Sequence, residues 1–180
     1  MEAAFELSRK GGSEQVGVKS IAEKLGCSVQ PIYSYCKSME GLRQDVIKRA
    51  EVFIQEYLKS HIDRKDFFRS TGQVYVRLAK EEPYIFQMFV MHKREGIASL
   101  DDLYQTETNP EVADFIAETL HISVEKARAL HMNMLIYTVG IGTILATAVP
   151  GIQTEEIVAQ MEGAYEAFSK QILNQEGQNE

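Results

Sequence analysis

Apolar residues recur every three or four positions along this chain, and the two-residue alternation of a half-buried strand is missing. The pattern predicts helix almost throughout. Ala4, Phe5 and Leu7 share the face of a first helix, over residues 1–10, that ends at Gly11 and Gly12. After a loop to Gly17, VKSIAEKL puts Val18, Ile21, Ala22 and Leu25 on one side. Gly26 supplies a left-handed residue after that helix. Ser28 is placed to cap the next segment, and Pro31 falls in its first turn, where a missing N–H does no harm. Ile32 and Cys36, four apart, face inward together. Ser38 caps a long helix with the stripe Leu42, Val46, Ala50, Phe53 and Tyr57.

The second half continues in the same way. Helices are expected near 64–81 and 83–94, the latter with Pro83 in its first turn. Residues 96–110 fit no single pattern. A helix near 110–120 follows, then one capped by Ser123 that runs to about Ala148 and is broken by Pro150 and Gly151. Thr154 opens the last helix, whose stripe is Ile157, Val158, Met161, Tyr165 and Phe168. The polar tail from Asn174 is expected to fray. The fold class expected is all-α, with about nine helices.

Composition narrows the class. The 180 residues, 44% hydrophobic and 25% charged, have the balance of a soluble globular protein with a sizeable core. The two cysteines, Cys27 and Cys36, are too few for a disulfide framework or a zinc finger. They read as small, partly buried thiols in a reducing cytoplasm. The first ten residues, MEAAFELSRK, lack the features of a signal peptide. Met132 to Val149 carries no charge and just reaches the length of a spanning helix. Asn133, three threonines and two glycines within it favour a helix buried between other helices, and no membrane partner is expected.

The net charge of −7 is unevenly spread: the first 50 residues are mildly basic and the rest is acidic. A polyanion would meet the basic head. That head is where the chemistry concentrates, in GCSVQPIYSYCKSMEGL. Two short helices joined by a tight glycine turn, the second polar on one side, make a helix-turn-helix. Its second helix enters the major groove, and the first braces it from behind. Ile21, Ala22 and Leu25 would brace. Ser28, Val29 and Gln30 stand at the leading end. Gln30 suits a bidentate pair with adenine, and Val29 and Pro31 suit a thymine methyl. Tyr33, Tyr35, Lys37 and Lys19 reach phosphates, which fixes register without reading sequence. The alternative for the two tyrosines is packing in a three-helix core with only their hydroxyls wet.

From Ile21 to Leu42 the chain reads IAEKLGCSVQPIYSYCKSMEGL. It resembles the TetR family of bacterial transcriptional regulators, whose pattern is IA…GVS…LYxHFxxKExL. AAFELSRKGG looks like the family's first helix and its glycine end. Further on, FFRSTGQVYVRLAKEEPYIFQMFV and IYTVGIGTILA are similar to the body of one subgroup. Where that subgroup has a Trp-x3-His-Gly motif, this chain has Tyr137, Ile141 and Gly142. The chain begins inside the family's first helix, has Met39 in place of a lysine, and has Gly17 in place of a hydroxyl cap. These departures imply either a truncated chain or a weaker grip on DNA.

The resemblance implies a helix-turn-helix DNA-binding domain over residues 1–50 and a helical effector-binding and dimerisation domain over 51–180. It implies double-stranded DNA as partner, an unidentified small-molecule effector, and a repressor released by that effector. Phe68, Tyr75, Phe86, Phe89, Met134 and Tyr137 supply adaptable surface for an effector pocket; each is also ordinary core filler. The last two helices carry apolar residues on arcs too wide for one-sided burial, and Gly140 and Gly142 permit close approach. Paired across a two-fold axis they give a homodimer through a four-helix bundle. His61, His92, His121 and His131 show no metal-ligand spacing; His131 reads as a hydrogen-bonded interfacial histidine, with ligand contact the alternative. No catalytic motif, metal site or cofactor is expected. The rivals are a ligand-sensing protein with a degraded DNA head and a small helical enzyme.

Overall fold

The computed structural model describes residues 1–36, 38–147 and 151–174. Among them there is no strand, and ten α-helices follow one another. They are α1 (Glu2–Gly11), α2 (Val18–Leu25), α3 (Val29–Tyr35), α4 (Met39–His61) and α5 (Phe67–Glu81). The rest are α6 (Pro83–Val90), α7 (Leu100–Glu107), α8 (Glu111–Leu120), α9 (Val124–Thr147) and α10 (Thr154–Asn174). The all-helical expectation therefore holds. The helix not foreseen is α7, in the stretch that fitted no pattern. Ser99 caps it by accepting from the Asp102 N–H at 3.1 Å, and Asp101 and Asp102 favour its positive end. Helix α6 is shorter than expected and stops at Val90. The break at Pro150, the end of α9 beyond Thr147 and the frayed tail after Asn174 lie outside the described residues.

Two compact units can be distinguished. The first comprises the described residues of Met1–Ile62, Arg77–His92 and Gly142–Val149. Its core brings Ala4, Val16, Ile21, Ala22, Ile32, Leu42 and Val46 together, with Met88 and Met39 packed against them. The α4 stripe runs at strict four-residue spacing, so Leu42, Val46 and Ala50 continue through Ile54 and Leu58. Phe53 and Tyr57, expected in that stripe, are half-buried on the flank. There they form a ladder with α1: Phe5 to Phe53 at 5.8 Å, Phe53 to Tyr57 at 6.2 Å, and Tyr57 stacked on His61 at 4.3 Å. Arg49 lies 4.8 Å over Phe5 and Arg9 lies 4.9 Å over Phe53. Arg9 also forms a two-pronged ion pair with Glu82 at the start of α6. Leu25, expected to brace, is exposed, and so is Cys27; Cys36 is half-buried against the core.

Also in the first unit, the Phe86 ring fills the space over Gly142. A Cβ on that glycine would stand 2.3 Å from the Phe86 Cζ. The close approach expected of Gly142 is thus made within the chain. Gln87 donates to the Ala146 carbonyl at 2.7 Å, satisfying one of the orphan acceptors at the end of α9.

The second unit comprises the described residues of Asp63–Val76, Lys93–Ile141 and Pro150–Glu180. Its core joins Tyr104, Ala113, Ile116, Ala117, Ala127, Leu130, Met134, Tyr165 and Ile172. Gly72 lets α5 sit close to α10 and α9, its missing Cβ being 2.9 Å from Met161 Cε and 3.6 Å from Thr138 Oγ1. Helix α9 is long and apolar enough to cross a membrane, with a mean hydropathy of 1.5 in its most apolar window. Only 28% of that window is buried within the chain, less than a helix enclosed by its neighbours needs.

Candidate functional site

The site starts from a turn that only a few residues tolerate. Gly26 ends α2 at φ 65°, ψ 31°, and its N–H is bonded back to α2. The Cys27 N–H bonds Ala22 O at 3.0 Å, which fixes the angle at which the chain leaves. The other end of α2 lacks a hydroxyl at Gly17, and Ser20 compensates. Its Oγ accepts from the Gly17 N–H at 3.0 Å and donates to the Gln15 carbonyl at 2.7 Å.

Helix α3 is attached by one side chain. Ile32, 7% exposed, is its buried residue and enters the core with Ile21, Ala22, Leu42 and Val46. Everything else is turned outward: Ser28, Val29, Gln30 and Pro31 are exposed, Tyr33 is 63% exposed and Tyr35 72%. The tyrosines are therefore not core packing. Ser28 occupies the N-cap position without a side-chain capping bond, so its hydroxyl is not consumed there. Among the described residues no hydrogen bond occupies the Gln30 amide or the two tyrosine hydroxyls. Lys19 is exposed on α2, and Lys37 lies outside the described residues. Ser38 caps the following helix, accepting from the Gly41 N–H at 3.0 Å. An exposed rod with unused donors and acceptors, mounted on a rigid turn, has the chemistry of a recognition surface.

The six residues named for a pocket do not form one group. Phe86 and Phe89 belong to the first unit; Phe68, Tyr75, Met134 and Tyr137 belong to the second. Phe86 is 1% exposed and committed to Gly142. Met134 is core, and Tyr137 donates to the Gln160 carbonyl at 3.4 Å while its ring meets Phe168. Burial, and to a lesser degree Glu107, pushes the Tyr75 hydroxyl above its usual range. Phe68 alone among the six lies on an open cleft of the second unit. That cleft is also lined by Phe67, and by Lys65, Phe115, Leu120 and Tyr165, which sequence reasoning did not place in a pocket.

Behind Phe68 stands a partly buried polar pair. The Tyr104 hydroxyl and His131 Nδ1 share a hydrogen bond of 2.9 Å, so the histidine is hydrogen-bonded as expected, here to a residue of its own chain. Phe68 meets the His131 ring edge-on at 5.6 Å. Burial holds His131 down to about 4, so the imidazole is neutral at pH 7. Among the described residues no group of three or more histidine, cysteine or carboxylate side chains is arranged to hold a metal ion. No family model, curated protein or solved structure matches the chain.

Proposed function

We propose that the chain is a DNA-binding transcriptional regulator of the TetR type, a homodimer released from a palindromic operator by a small molecule. The observation that carries this reading is α3: one buried residue, Ile32, holds a short helix whose remaining surface, from Ser28 to Tyr35, is free for a partner. The major groove admits one helix with its leading side chains against base edges, and Gln30, Val29 and Pro31 stand at that end. In this reading α1 to α3 form the helix-turn-helix domain, and the helices after residue 50 sense the effector and dimerise.

The unburied surface of α9 supports a second copy of the chain as partner. Ile136 is 51% exposed and Ile144 55%, and Gly140 between them has nothing within 4 Å of its missing Cβ. On α10, Ala159, Gly163 and Ala167 are exposed at four-residue spacing. Small side chains flanked by isoleucines let two such faces pack closely under two-fold symmetry. A palindromic operator requires the two recognition helices about one DNA turn, ~34–36 Å, apart.

A ligand-sensing protein whose DNA head has lost its grip is the second reading. Met39 favours it: where the family carries a lysine, this side chain packs against the core of the first unit. Substitution at Gln30 and at Lys37 separates the two. Gln30→Ala, at an exposed position, should relax preference at one base pair by ~1–3 kcal/mol, whereas Lys37→Ala should weaken all duplexes alike. Binding unchanged by both, or indifferent to salt, would favour the degraded head.

A further inference from the structure

We propose that the cleft between the start of α5 and the α8 face of the second unit binds a small aromatic monocarboxylate. The inference rests on the effector-sensing half of the proposed function and names the chemistry of its ligand. Phe67 and Phe115 form one wall, edge to face at 5.5 Å. Phe68 forms the floor and is held from two sides, at 5.6 Å by His131 and at 6.0 Å by Tyr165. Rings fixed in this way offer a planar ligand edge and face contacts without further ordering cost. The cleft encloses only about 50 Å³ and is open to solvent, so it takes the edge of a single ring and leaves the rest of a ligand exposed.

The charges on the cleft select the polar group. Arg69 is already committed: it pairs with Glu162 at 3.4 Å and lies 4.3 Å over the Tyr165 ring. Lys65 has no ion-pair partner among the described residues. Its backbone is fixed, because its N–H donates to Asp63 Oδ1 at 2.9 Å in the short turn before α5. An exposed ammonium beside an aromatic slot fits a carboxylate on the ring. Asp66 also lines the cleft and repels a second negative charge, so a monoanion is favoured over a dianion. The neutral His131 behind the floor adds no charge of its own.

The full chain is titrated with benzoate and with benzyl alcohol, an uncharged compound of similar shape, and backbone amide shifts are followed. Benzoate should move amides in residues 65–69 and 115–120 and bind more tightly than the alcohol by about two- to five-fold, the range of a solvent-exposed charge contact. Lys65→Gln should abolish that preference, Asp66→Asn should strengthen benzoate by a similar factor, and Phe115→Ala should weaken both probes. All three positions are exposed, so the fold is retained. Equal binding of the two probes, shifts confined to other segments, no shift at millimolar benzoate, or a Lys65→Gln chain that keeps the preference would each overturn the assignment. DNA is absent from this assay, so the outcomes separate. Benzoate binding by a chain that binds no duplex leaves the cleft standing without the regulator; duplex binding without benzoate binding removes the cleft alone.

Discussion

Replacing His131 by phenylalanine should remove a pH dependence from the stability of this protein. In the folded chain burial holds the imidazole at about 4, against about 6.5 when exposed. Between those values the unfolded chain takes up a proton that the folded chain refuses, so stability rises with pH across that window. The full contribution is present above about pH 6.5 and is lost as the pH falls towards 4. At 1.36 kcal/mol per pKa unit the loss is at most about 3 kcal/mol, and partial solvent access reduces it. Urea unfolding of the parent and of His131→Phe at pH 7 and pH 4.5 measures it. Carboxylates away from His131 titrate alike in both chains and cancel in the difference. The variant should lose less stability on acidification by about 1–3 kcal/mol. A parent and variant with the same slope between the two pH values would refute the buried, neutral histidine.

Gly142→Ala sets two effects against each other. Overpacking against the buried Phe86 ring costs about 1–3 kcal/mol, and the gain in helix propensity returns about 1 kcal/mol. The variant should be destabilised, and Phe86→Leu in the same chain should recover part of the loss, a coupling that a double-mutant cycle in urea detects. His121→Gly should stabilise by about 0.5–1 kcal/mol, because His121 sits at φ 54° after α8, where glycine bears no Cβ penalty. Thermal or urea unfolding reads it, and a destabilised variant would show that the side chain matters more than the backbone.

Local chemistry made much of the fold legible. Gly26 in the left-handed region, Ser38 as a cap and Pro83 in a first helical turn all follow from what those residues do to their own backbone. Periodicity failed where two apolar residues competed for one face. Phe53 and Tyr57 are bulky enough to look like core, yet Ile54 and Leu58 hold the four-residue spacing, and the aromatics lie beside it against Phe5. Leu25 looked like a brace and is exposed one turn after the residues that do the bracing. Helix α7 was hidden because it buries one residue, Tyr104, too few to show a period, although Ser99 followed by Asp101 and Asp102 was a start signal.

The outward surface of α3 was legible because a helix with one apolar anchor has only one way to sit. The pairing of Tyr104 with His131 and the meeting of Phe67 with Phe115 were not, because they join residues far apart in sequence. No local pattern encodes such pairs. The six residues first named for a pocket were chosen by side-chain type alone, and type does not distinguish Phe86, locked over Gly142, from Phe68, open to a cleft.

Selecting bound sequences from a pool of random duplex DNA tests the central claim most directly. The account predicts an inverted repeat whose half-sites lie about one helical turn apart, with affinity that falls steeply as salt is raised. Enrichment of nothing, or of sequences without two-fold symmetry, would contradict it.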